Sequence, residues 1–198
     1  MSFYKNFGNL SSWGRNLVLP AEKIKAVLCE KFFGKNKKVD RVIDFGAGTL
    51  YWSKFFAEKL ENPKNIFPVD EIFDNNSSQN NMTLYSSLDN IPNLFKGGGY
   101  RYLFFICDVI HHLSLKEWDY VKEFAYKCDY VVIKDIDCRY RFKNFMNRLH
   151  DRIINGEKIR DVNPKILISE LSRSGYNTDF YEFHKLWYSH FLLIGKKI

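Results

Sequence analysis

Apolar positions along the chain follow two alternating spacings. Residues 39–45, 100–107 and 130–133 are short, nearly continuous apolar runs, the pattern of strands buried on both faces. Between them the spacing changes to that of helices. Ile24, Val27, Leu28 and Phe32 recur at i, i+3, i+4 and i+8 after Pro20, a residue suited to a helix's first turn. Trp52, Phe55, Phe56 and Leu60 form one face of a second helix, which Asn62-Pro63 ends. Residues 115–126 predict a third helix. Asn163-Pro164 predicts an N-capped helix carrying Ile166, Leu167 and Leu171 and closed by Gly175. Short strands are expected at 65–69, with Pro68 at its end, and at 82–86. Two longer ones, at 176–184 and 188–196, can pair as a hairpin.

Strands alternating with crossovers predict an α/β fold: a Rossmann-like, seven-stranded, mostly parallel sheet with a C-terminal antiparallel hairpin. A length of 198 residues suits one such domain, with residues 1–38 as an N-terminal helical segment over the site and residues 39–198 as the domain itself. Hydrophobic residues at 45% are ordinary for a globular chain, and no apolar run approaches the ~20 residues that span a bilayer. The first residues lack a continuous apolar core of the signal-peptide kind. Cys29, Cys107, Cys128 and Cys138 have neither CxxC nor metal-ligand spacing, so no metal is expected and a reducing, cytoplasmic setting is. The net charge of +7 is spread over the chain, apart from residues 35–38 and 139–152. It permits an anionic partner, nucleic acid included, without requiring one.

In such sheets ligands bind at the carboxyl ends of the strands. The first strand ends in Val42-Ile43-Asp44-Phe45-Gly46-Ala47-Gly48, where glycines permit a tight turn and a close approach of backbone to ligand. A dinucleotide fingerprint would need glycine at position 51, which is Tyr51, and a tight turn alone would also explain the two glycines. Asp70, 24 residues after Gly46 at the next strand end, is placed to accept from a ribose diol. The fourth strand ends in Cys107-Asp108-Val109-Ile110-His111-His112-Leu113.

Together these motifs resemble class I S-adenosylmethionine-dependent methyltransferases of the small-molecule type, over residues 39–198. The resemblance implies S-adenosylmethionine as cofactor, with Asp44 near its amino group, Gly46 and Gly48 along its backbone and Asp70 at its ribose. It implies that the adenine lies near Ser87, Leu88 and Asp89, ahead of Ile91-Pro92, with Asp108 completing the cofactor side. Arg15 could pair with the methionine carboxylate, or be a surface arginine. The family's third glycine is replaced by Leu50.

Methyl transfer needs alignment and exclusion of water, and a base only where the acceptor carries a proton. His111, with an unperturbed pKa of ~6.5, is the candidate base, although His-His-Leu could simply close the strand end. Lys134 and Asp135 leave the next strand as charges needing partners: each other, Asp108, or an acceptor's anionic group and hydroxyl. The basic segment 139–152, with Arg139, Arg141, Lys143, Arg148 and His150-Asp151, either binds substrate or faces solvent. The expected acceptor is the O or N of a small hydroxylated metabolite, sugar or lipid-linked precursor. Two alternatives stay open. One is an RNA ribose 2′-O-methyltransferase, in which Lys25, Asp108 and Lys134 would share a cleft; the other is a catalytically silent binding protein of the same fold.

Overall fold

The computed structural model describes residues 20–34, 38–96, 98–150, 160–185 and 188–198. Arg15, most of the lysine cluster at 35–38, and Asp151 lie outside them. Strand β1 (Arg41–Phe45) sits inside a sheet that also contains β2 (Ile66–Val69), β5 (Tyr102–Cys107), β6 (Tyr130–Ile136), β7 (Tyr176–Lys185) and β8 (Tyr188–Lys197). The order is β2-β1-β5-β6-β8-β7, parallel from β2 through β6 and antiparallel across β8 and β7. A separate two-stranded ladder joins β3 (Ser78–Gln79) to β4 (Met82–Thr83).

The main sheet therefore has six strands rather than seven. The strand expected at 82–86 meets β2 only through the parallel bridge Val69↔Tyr85, in which Tyr85 N–H donates to the Pro68 carbonyl and Asp70 N–H to the Tyr85 carbonyl. Extending that bridge toward residue 83 would require an N–H from residue 68, and proline has none. In the other direction the Ile72 N–H is already given to Asp70, so the ladder stops there. Pro68 itself lies inside β2, paired with Asp44, rather than at its end.

Alternate strand residues feed the two faces of the sheet, as the period of two requires. Val42, Leu103, Phe105 and Val132 pack with Ile24, Leu28 and Phe32 of α1 (Ala21–Phe32) and with Trp52, Phe55 and Phe56 of α2 (Tyr51–Leu60). Ile43, Phe104, Ile106, Val131 and Ile133 pack with Trp118 and Val121 of α3 (Leu115–Ala125) and with Leu167 and Leu171 of α5 (Pro164–Arg173). Helix α4 (Arg141–His150) lies between β6 and α5 in the chain.

The helix ends follow local chemistry. Ser114 and Glu117 form a capping box on α3, and the Asn163 side chain accepts from Lys165 N–H on α5. The element pattern in the sequence is thus largely realised, with ends displaced by up to three residues, the largest shift being β6, which continues from 133 to Ile136.

Candidate functional site

The β1–α2 loop turns through Gly46 at φ 75° and Gly48 at φ 47°, both in the left-handed region. Gly46 and Ala47 donate their N–H groups to the Val69 carbonyl at 2.8 and 3.1 Å, fastening the loop to the end of β2. A Cβ on Gly46 would overlap the Val109 side chain, whereas one on Gly48 would meet nothing nearer than the Gly46 carbonyl oxygen at 4.0 Å. Gly46 is thus required by packing, and Gly48 by backbone conformation beside open space. Leu50, in place of the resemblance's third glycine, adopts φ 62° with its side chain buried in the α1–α2 core. A leucine there bears about 1–2 kcal/mol of left-handed strain.

Asp70 holds this loop from the neighbouring strand. Gly48 N–H donates to its Oδ2 at 2.9 Å and Ile72 N–H to its Oδ1 at 3.2 Å. Asp44, on the α2 face of β1, is buried and accepts from Ser53 Oγ at 2.5 Å. Burial pushes its carboxyl up to about 7, with the nearby Asp70 charge adding to the rise and the Ser53 hydrogen bond opposing it. Sequence reasoning missed Ser53. Its signal was a lone small polar residue between Trp52 and Phe55 on an otherwise apolar helix face.

The two charges at the end of β6 separate because consecutive strand residues point to opposite faces. Lys134, fully buried, donates from Nζ to both carboxylate oxygens of Asp108, and Asp108 N–H donates to the Lys134 carbonyl at 2.8 Å. Asp108 has φ 56°. Burial works against its charge, but Lys134, then His190 and His111, hold the carboxyl below the ordinary carboxylate range. Beside it, burial raises the Cys107 thiol well above its usual value.

Asp135 turns the other way, to His111. The His111 Nδ1···Asp135 Oδ1 distance is 2.5 Å and both side chains are buried. Asp135 also accepts from the backbone N–H of His111 at 3.3 Å and of Ile136 at 2.7 Å. The His112 ring stands 4.0 Å from that of His111. Arg160 closes the group: its N–H donates to the His111 carbonyl and its Nε to the Ile110 carbonyl, both at 2.9 Å. Nothing in the pattern around Arg160 marks it for this position, since it lies about fifty residues away in sequence.

Among the adenine-side candidates, Leu88 is buried, Ser87 half-buried, and Asp89 exposed and held by the Tyr120 hydroxyl at 2.7 Å. In the basic segment, Arg139 is taken up by Asp137 and Glu182, and Arg148 by Asp161. Lys25 pairs with Glu22 and lies over the Tyr51 ring, and neither contact belongs to the Asp108–Lys134 pair. Among the described residues no group of three or more His, Cys, Asp or Glu is arranged to hold a metal ion.

No protein-family model matches the chain, and neither does any curated protein. Solved structures do. The magnesium protoporphyrin IX methyltransferase of Synechocystis PCC 6803, solved with bound SAH, is 14% identical over 89% of this chain and 81% of that one, with a TM-score of 0.62. A SAM-dependent methyltransferase from Archaeoglobus fulgidus is 14% identical over 96% of this chain and 100% of that one, with a TM-score of 0.65. The fold is that of the S-adenosylmethionine-dependent methyltransferases. Human N-acetylserotonin methyltransferase in complex with SAM also shares it at 13% identity, covering 98% of this chain but 55% of the human one, with a TM-score of 0.53. Identities this low carry the fold, so the chemistry rests on the side chains described above.

Proposed function

We propose that this chain is an S-adenosylmethionine-dependent methyltransferase acting on O or N of a small hydroxylated metabolite, sugar or lipid-linked precursor. The observation that carries the reading is the His111–Asp135 pair on β6 and the segment after β5, at the same sheet end as a glycine loop clasped by Asp70. The residues suit the cofactor: Gly48 leaves open space beside its backbone, and each Asp70 oxygen that accepts one amide keeps a lone pair for a ribose hydroxyl. When bound, S-adenosylmethionine supplies an electrophilic methyl group on a sulfonium.

In this reading Asp44 lies toward the amino group, the Gly46 and Gly48 backbone along the methionine, Asp70 at the ribose, and Ser87 and Leu88 at the adenine. Arg15 is assigned to the carboxylate. Asp108 lines the cofactor side, and Lys134 holds Asp108 in place. Asp135 keeps a proton on His111 Nδ1, which puts the basic lone pair on Nε2. His111 then takes the proton of the acceptor's hydroxyl or amine as that atom is methylated. We place the protein in a reducing, cytoplasmic setting, in keeping with its four free thiols.

Titration calorimetry with S-adenosylhomocysteine tests the cofactor assignment. Wild type is expected to bind, and Asp70→Ala to bind at least roughly tenfold more weakly, one lost charge-assisted hydrogen-bonding group. Thermal unfolding of both proteins controls for folding. No binding by wild type, or equal binding by a folded Asp70→Ala, would overturn the reading.

A further inference from the structure

Helix α4 is amphipathic in the inverted sense: its apolar stripe faces outward. Phe142, Phe145 and Leu149 are 74%, 60% and 40% exposed, and their i, i+3, i+7 spacing puts them on one side of the helix. The half-buried positions among the helix's described residues are Lys143, Asn144 and Met146. Asn144 is half-buried and donates to Asp161 at 2.8 Å, and Lys143 is half-buried with its ammonium 5.6 Å from the centre of the Tyr140 ring. Other large exposed apolar side chains among the described residues, such as Ile72, Leu115 and Ile166, are scattered singly. Scattered apolar residues are ordinary, whereas a contiguous stripe marks an interaction surface.

Charge selects the partner. The helix contains Arg141, Lys143 and Arg148 and neither Asp nor Glu, in a chain of net charge +7. Arg141 is exposed along the margin of the stripe, and Arg148, also exposed there, shares its charge with Asp161. A second copy of the same face would bring like charges together. A flat anionic surface with an apolar interior instead receives the phenyl and leucyl groups below the headgroups and the guanidinium groups among them.

We propose that α4 docks this protein on anionic phospholipid bilayers, lying in the interface with Phe142, Phe145 and Leu149 inserted. The inference is independent of the methyl-transfer reading, because binding is measured without cofactor.

The test is co-sedimentation of the full chain with extruded vesicles of phosphatidylcholine alone or mixed with phosphatidylglycerol. Wild type is expected to sediment with the mixed vesicles and to be released as salt rises. Phe142→Asp/Phe145→Asp is expected to partition roughly tenfold less strongly, with an unchanged melting temperature because both side chains are exposed. Three results would overturn the proposal. These are no sedimentation of wild type, equal sedimentation of a folded double variant, and a solution dimer of wild type that the double variant abolishes without any vesicle binding. The second of these, together with loss of binding in Arg141→Glu, would reduce the surface to bare charge.

Discussion

Gly46 and Val109 interlock: the valine side chain occupies the space a Cβ on Gly46 would need. The loop after β1 and the segment after β5 are thereby set against each other, which brings the glycine turn and the Asp108–His111 segment to one end of the sheet.

Gly46→Ala is therefore expected to destabilise the protein by about 2–4 kcal/mol, combining overpacking with a strained left-handed alanine. Val109→Ala in the same chain removes the overlapping methyl groups but leaves the residue 109 Cβ, 3.2 Å from where the alanine methyl would lie, and should recover part of that loss. Urea unfolding of both single variants and the double variant gives the coupling between them. Strict additivity would show that the contact does not set the loop.

Leu50→Gly opposes two effects of different size. Glycine relieves about 1–2 kcal/mol of left-handed strain at φ 62°, while losing a buried leucine costs about 2–5 kcal/mol. Burial wins, and the variant is expected to be less stable by about 2 kcal/mol in the same measurement. A stabilised variant would show that backbone strain outweighs packing at this turn.

Asp44 makes stability depend on pH. Its carboxyl moves from an ordinary 3.8 to about 7 in the fold, so between those values the folded chain holds a proton that the unfolded chain has lost. Stability attributable to this group falls as pH rises from about 4 to about 7, by roughly 4 kcal/mol in all, and is level above that. Asp44→Asn, neutral throughout, is expected to lack this slope, so the difference between the two unfolding curves shrinks toward low pH. Parallel curves from pH 4 to 8 would rule out the shift. Because a cationic amino group favours ionised Asp44, S-adenosylhomocysteine affinity is expected to climb through about pH 7 in wild type alone.

On the proposed reading, variants of His111 and Asp135 affect chemistry and spare cofactor binding. With an acceptor that turns over, His111→Gln is expected to lower kcat by about 10²–10⁴ and leave S-adenosylhomocysteine binding unchanged. Asp135→Asn acts through His111, so it should lower kcat with KM nearly constant and move the acidic limb of the pH profile. Wild-type turnover in His111→Gln would remove the base from the mechanism.

Much of this molecule could be read from the chain alone. The nearly continuous apolar runs at β1, β5 and β6 and the helical spacing of Ile24, Leu28 and Phe32 specify their own elements, because a strand buried on both faces and a helix buried on one each leave a local apolar pattern. The turn at Gly46 and Gly48 and the strand-end position of Asp70 were legible too, because tight turns and strand ends demand particular residue types nearby. The seventh strand was not, since its pairing with β2 is cut off on one side by the missing N–H at Pro68, facing a segment some fifteen residues later, and on the other by the Ile72 N–H donating to Asp70. Asp108 was among the partners the sequence offered Lys134, and the fold selects it. The pairings of Asp44 with Ser53 and Asp135 with His111, and the outward apolar stripe of α4, were not legible. Which face a charge points to follows from strand parity, but which partner waits there depends on how distant elements pack, and only the tertiary structure decides that.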